Sequence, residues 1–132
     1  MDKVFLDANA LFSAAYRPDA GLGRLWKLEG VQLVTSAHAL LEASMNLDRD
    51  LRRTRLERLA KDVQVVESLP ADDSLPEGVA LAEKDRPILL AATSCGATHL
   101  LTGDVTHFGQ YCGRRIGGVL ILPPAEYLRR RG

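Results

Sequence analysis

A chain of 132 residues is the size of one domain and can bury roughly two-thirds of its unfolded surface. Hydrophobic residues at 46% and charged residues at 26% are the proportions of a soluble globular protein. With 17 basic residues against 17 acidic ones, global attraction to nucleic acid is excluded, and no apolar run approaches the ~20 residues of a membrane span.

In chain order, Val4–Leu6 reads as a short apolar strand ending at Asp7, and Ala10–Leu28 as a helix. Val31–Thr35 is a second strand, followed by helical sequence over Ala37–Lys61, expected as two helices with Ser36 as the first N-cap. Val63–Val66 is a third strand, and Pro76–Cys95 a helix that Gly96 stops. His99–Thr102 is a fourth strand, with a short helix after Asp104. Val119–Leu122 is a fifth, and Pro123-Pro124 introduces a last short helix over Ala125–Arg131. Strands and helices alternate without an evident hairpin signal, which predicts parallel strands joined by crossovers in one doubly wound α/β domain over residues 1–132. Cys95 and Cys112 form no CxxC pair and read as reduced thiols. The acids in Met1–Asp7 argue against a signal peptide, so a cytoplasmic location is expected.

Ligands of open parallel sheets bind beyond the carboxyl ends of the strands, where strand order reverses. Four acids trace to that edge: Asp7 ends strand one, Glu42 lies early in the helix after strand two, Asp85 opens the helix descending to strand four, and Asp104 follows that strand. Each also has an ordinary explanation. Asp7 can cap a helix, Asp104 can close a turn, Asp85 before Arg86-Pro87 can start a helix, and Glu42 can face solvent. Jointly, four converging carboxylates repel one another, and a hard divalent cation, Mg²⁺ or Mn²⁺, is their natural neutraliser.

At these residues the chain resembles the PIN-domain family, and within it the small VapC-type toxins of toxin–antitoxin pairs. The resemblance rests on Val4-Phe-Leu-Asp7-Ala-Asn9, on Glu42, on Asp85 before Ile88-Leu-Leu-Ala-Ala92, on Leu100-Leu-Thr-Gly-Asp104 with Phe108 beyond, and on Val119-Leu-Ile-Leu-Pro-Pro124. It implies a three-layer α/β/α sandwich with a five-stranded parallel sheet in order 3-2-1-4-5. It also implies a metal-dependent endoribonuclease in which Asp7, Glu42, Asp85 and Asp104 hold Mg²⁺ or Mn²⁺, an RNA substrate, a cognate antitoxin and a homodimer. Relatives often carry a further acid near the fourth position, where this chain has Thr106 and His107, so the number of metal ions is left open.

In this scheme Asn9, Thr102 and His107 support the carboxylates or touch phosphate; the plainer readings are a turn bond, a core hydroxyl and packing beside Phe108. His38 and Glu42, four apart, have a zinc-chelating spacing without a third soft ligand. Between Leu47 and Lys61 the basic residues Arg49, Arg52, Arg53, Arg55, Arg58 and Lys61 outnumber Asp48, Asp50 and Glu57. Arg49, Arg52, Arg53 and Arg55 are the candidate RNA contacts, beside a plain solvated face; Arg129–Arg131 is a weaker candidate. Aromatic residues at 5% argue against a wide base-stacking platform and for recognition of structured RNA by shape. Leu11, Phe12, Leu22, Leu25 and Trp26 offer surface to a second copy or an antitoxin, with core packing the simpler expectation.

Rival readings fit less well. A haloacid-dehalogenase-type phosphotransferase needs an Asp where Asn9 stands, and a receiver domain needs an Asp after strand three and a Lys after strand five, where Glu67-Ser68 and Pro123-Pro124-Ala125 stand. A non-catalytic PIN-like binding module and a DNA or flap-type nuclease remain as alternatives.

Overall fold

In the computed structural model, residues 1–17, 19–67, 79, 81, 85–104 and 108–131 are described. Its strands are β1 (Asp2–Leu6), β2 (Val31–Ser36), β3 (Gln64–Val66), β4 (His99–Leu101), β5 (Arg115–Ile116) and β6 (Val119–Leu122). They form one sheet in order β3-β2-β1-β4-β6-β5. All pairings are parallel except that of β5 with β6. The five expected strands therefore take the expected order, with β6 as the fifth. Strand order reverses between β2 and β4 on either side of β1.

Consecutive residues Val4, Phe5 and Leu6 are all fully buried. Side chains alternate across a strand, so β1 is covered on both faces, as an apolar parallel strand requires. The covering helices are α1 (Ala8–Ala15), α2 (Ala37–Asn46), α3 (Asp50–Ala60), α4 (Arg86–Ser94) and α5 (Pro124–Arg131). No helix among the described residues is long and apolar enough to cross a membrane.

Local chemistry sets the element ends. The Ser36 hydroxyl accepts from the Ala39 N–H at 3.0 Å and so caps α2. Gly96, at φ 74°, ends α4, and the Ala97 N–H returns to the Ala92 carbonyl at 3.1 Å. The expected helix over Ala10–Leu28 is instead two pieces, α1 and a 3-10 segment over Gly21–Lys27. The sequence between them carries Pro18, which has no N–H to continue a helix, and Gly21 and Gly23 disfavour α geometry further on. The Trp26 indole N–H donates to the Leu59 carbonyl at 2.9 Å and ties the 3-10 segment to α3.

The sixth strand corrects the expectation of a sheet without hairpins. Gly117 and Gly118 have φ of 57° and 84°, the paired positive values of a two-residue hairpin turn, and Ile116 pairs with Val119 across it. The first part of the helix expected over Pro76–Cys95 and the short helix expected after Asp104 fall largely outside the described residues, which resume helical structure at Arg86 and at Phe108.

Candidate active site

The chain leaves β1 at its carboxyl end and turns at once into α1, and Asp7 is the residue at that turn. Its backbone is extended, and its Oδ1 accepts from the Ala8 N–H at 2.6 Å, so the side chain is the N-cap of α1. Its backbone N–H continues the sheet by donating to the Leu101 carbonyl at 3.1 Å. The cap is buried, with Asp7 only 6% exposed.

The end of β4 is laced to the same turn. Buried Thr102 donates its hydroxyl to Asp7 Oδ2 at 2.7 Å. Thr102 Oγ1 itself accepts from the Asp104 N–H at 3.1 Å and lies 3.4 Å from the Asn9 amide nitrogen. Asn9 Oδ1 accepts from the Gly103 N–H at 2.9 Å. One hydroxyl thus holds the Asp7 carboxylate and the backbone of Asp104 in fixed relation, and Asn9 closes the loop from the first turn of α1. Thr102 is a buried hydroxyl that bears directly on Asp7, whereas Asn9 makes, in place of a local turn bond, long-range contacts with Thr102 and Gly103.

Asp7, Asn9, Glu42, Asn46, Asp85 and Asp104 line one depression of about 320 Å³, whose wall includes Phe12. All four sequence-predicted acids therefore reach one place. Asp85, at the start of α4, is buried, Asp104 is half-buried, and Glu42 is exposed on α2. Burial raises the Asp7 carboxyl to about 6, against the lowering by Thr102 and Ala8, and the charges of Glu42 and Asp85 push the same way as burial. Asn46 was not anticipated from sequence; its signal is its place one turn beyond Glu42 on the same helix face.

Every carboxylate here is a hard oxygen donor, and with Asn9 and Asn46 beside them the set suits Mg²⁺ or Mn²⁺ rather than a thiophilic ion. Among the described residues, no three of His, Cys, Asp or Glu are gathered closely enough to form a ready metal-binding cluster. The acids ring the depression without meeting at a point, an arrangement consistent with mutual repulsion. His38 Nε2 and Glu42 Oε2 stand 4.0 Å apart, the contact of a weak exposed pair. His107 lies outside the described residues.

The basic residues of α3 are used in several ways. Arg55 donates from Nε to the Ala15 carbonyl and from Nη2 to the Tyr16 carbonyl, both at 3.0 Å, and Arg52 Nε also reaches Tyr16 O at 2.9 Å. These guanidinium groups satisfy the carbonyls that the end of α1 leaves without helical partners. Arg52 also pairs with Asp48 at 2.8 Å and stacks 3.7 Å over the Tyr16 ring. Arg53 donates to the Leu47 carbonyl at 2.9 Å. Arg49 is exposed at the N-cap of α3. In the tail, Arg129 and Arg130 pair with Glu126, while Arg131 reaches Glu29 O and Asp2. Leu11 and Leu25 are core residues, and Phe12, Leu22 and Trp26 pack partly buried against them.

A family model described as a PIN domain matches residues 3–106. Comparison with curated proteins finds no match. Among solved structures, VapBC2 from Rickettsia felis, bound to a DNA fragment from its promoter, aligns with a TM-score of 0.62 at 15% identity, over 92% of this chain and 98% of the other. VapC20 from Mycobacterium tuberculosis, a Sarcin-Ricin loop cleaving toxin, aligns with a TM-score of 0.56 at 17% identity, over 78% and 91%. VapBC-1 from nontypeable Haemophilus influenzae aligns with a TM-score of 0.56 at 16% identity, over 93% and 98%. At such identities the likeness is one of fold.

Proposed function

The chain belongs to the PIN-domain family, and from that premise we propose that it is a metal-dependent endoribonuclease, the toxin of a toxin–antitoxin pair. The observation that carries the reading is the gathering of Asp7, Glu42, Asp85 and Asp104 around one depression. A buried carboxyl at the strand-order reversal, pushed up to about 6, shares one depression with three further acids. A site that only stabilised the fold would gain by replacing such a group with a neutral one. A site that binds a cation gains by keeping it.

Asp7, Asp85 and Asp104 are assigned to hold Mg²⁺ or Mn²⁺, with Glu42 completing the ring or orienting the attacking water. The bound ion would supply a lowered water pKa and charge stabilisation at the phosphoryl oxygens. Thr102 and Asn9 hold Asp7 in the orientation that exposes it to the depression, and Asn46 offers an amide to the same space. Glu42, the most exposed of the four, is the carboxylate best placed to accept a proton from water. Attack by water leaves a 5′-phosphate and a 3′-hydroxyl; recovery of a 2′,3′-cyclic phosphate would overturn the assignment.

Arg49 and the remaining N–H groups of Arg52, Arg53 and Arg55 are candidate phosphate contacts. The VapBC neighbours support an antitoxin as partner, and the exposed Leu41 and Met45 on α2 offer apolar surface to it or to a second copy. A cytoplasmic location belongs to the same proposal. The test is cleavage of total cellular RNA by purified protein with and without Mn²⁺, beside Asp7→Asn. Discrete cuts that need the ion and vanish in the variant support the reading. Mn²⁺ binding without cleavage of RNA or DNA would favour a non-catalytic binding module, and preferential cleavage of DNA a DNA or flap-type nuclease.

A further inference from the structure

Two further depressions continue from the carboxylate site along the outside of α1. The first, about 450 Å³, shares Phe12 with the carboxylate site and is walled by Tyr16 and Leu22. The second, about 510 Å³, shares Arg17, Ala20 and Gly21 with the first and lies between the 3-10 segment and α3. The path therefore runs from four acids, past two aromatic rings whose centroids are 5.4 Å apart, to a basic groove.

The charge in that groove comes from two elements that the sequence separates by about thirty positions. Arg24 and Lys27 project from the 3-10 segment, and Arg55 and Arg58 from α3. Asp19 is the acid among the lining residues, and it stands 3.7 Å from Arg17. Arg55 is held by the Ala15 and Tyr16 carbonyls. Arg24, Lys27 and Arg58 are exposed and make no ion pair among the described residues, whereas Arg17, Arg52, Arg129, Arg130 and Arg131 are each paired with a carboxylate. The Trp26–Leu59 hydrogen bond pins the two walls together, so the cations stand on a fixed frame.

We propose that this groove is the binding track for the RNA strand flanking the cleaved bond, with its phosphates on Arg24, Lys27 and Arg58. The inference rests on the nuclease reading and adds to it a place and a direction for the substrate. A strand entering an acidic site needs compensating positive charge nearby, and the acid site itself supplies none before its metal binds. The apolar wall of Phe12, Tyr16 and Leu22 spans the interval between the two charged ends and gives the intervening bases a surface to lie on. The track thus favours a single strand, whereas sequence composition alone had favoured structured RNA.

The test is fluorescence anisotropy with a fluorescein-labelled oligouridine, in an Asp7→Asn background that leaves the probe uncut. The reversal Arg24→Glu/Lys27→Glu/Arg58→Glu is measured beside the triple alanine variant, which guards against effects of charge reversal on folding. On a single strand each lost phosphate contact removes about 0.7 from the slope of log affinity against log salt. The alanine variant is expected to lose about two from that slope, and roughly tenfold or more in affinity at about 50 mM salt. Mn²⁺ binding by the same triple variants with Asp7 restored is expected to stay as in wild type. An unchanged affinity and slope in both variants overturns the track, and wild-type cleavage alongside that result leaves the nuclease standing. Failure of the probe to bind, with wild type also failing to cut RNA, removes both. Triple variants that keep wild-type RNA affinity but lose polyglutamate binding would assign the groove to an acidic peptide and overturn the track.

Discussion

Replacing Asp7 by Asn should make the metal-free protein more stable near neutral pH while removing its cation site. In the fold the carboxyl titrates at about 6, against 3.8 for an ordinary aspartate. Between those values the native state holds more protons than the unfolded chain, so stability falls as pH rises through that window. Two units correspond to about 3 kcal/mol lost by pH 7.5 relative to pH 3, about half of it between pH 5 and pH 7.5. Asn has no such penalty and keeps an oxygen for the Ala8 N–H, so the α1 cap survives. It loses the acceptor for the Thr102 hydroxyl, which costs about 1–2 kcal/mol. The net expectation is a variant more stable by about 1–2 kcal/mol at pH 7.5 and close to wild type at pH 5. Urea unfolding in EDTA at the two pH values reads the difference. An Asn variant less stable at pH 7.5, or a gap that does not change with pH, would refute the claim that Asp7 is electrostatically stressed.

Mn²⁺ must displace the proton from Asp7, so apparent affinity by calorimetry should rise about tenfold per unit up to pH 6 and then level off; a flat profile from pH 5 to pH 7 would exclude Asp7 as a ligand. Thr102→Val removes the hydroxyl from a buried carboxylate and from the Asp104 N–H. It should cost about 2 kcal/mol in urea unfolding at pH 7.5 and move the Mn²⁺ profile to higher pH, because a stabiliser of the charged form is gone. Gly118→Ala places a side chain at φ 84° and should lower stability by about 1 kcal/mol without altering Mn²⁺ affinity, as checked by thermal melting and calorimetry.

Where burial leaves a periodic trace, the sequence could be read directly. Four of the five apolar runs became parallel strands shielded on both faces, while the third, Gln64–Val66 at the sheet margin, is largely exposed, and Ser36 and Gly96 marked helix ends through their own chemistry. The four acids were traceable because a doubly wound sheet fixes which end of each strand faces the ligand edge. The hairpin escaped because Arg115–Ile116 is too short for a period to register, although Gly117-Gly118 was its signal. The helix over Ala10–Leu28 broke because local punctuation outweighed a long apolar pattern. The arginines of α3 show the firmest limit. Nothing in a run of basic residues tells which will turn back to satisfy carbonyls, as Arg52, Arg53 and Arg55 do, and which will face a groove, as Arg58 does. That depends on where α1 ends, forty positions earlier for Arg55. Asn46 was missed because an exposed amide draws notice only through its i+4 spacing from Glu42 on the same helix.

The two ends of the sheet bear on how copies of this chain can associate. One margin is the two-residue β5, folded back antiparallel on β6, and the other is the three-residue β3. Neither offers, among the described residues, the run of free backbone donors and acceptors that a neighbouring strand would need to extend the sheet from one molecule into the next. The hairpin replaces an open parallel margin with its own short return, and a parallel neighbour could gain few ladder bonds there. Growth by strand addition, the route to open-ended fibres, is thereby disfavoured at both margins. Assemblies of this chain should accordingly be closed and built through helix surfaces, with a size fixed by symmetry rather than by concentration.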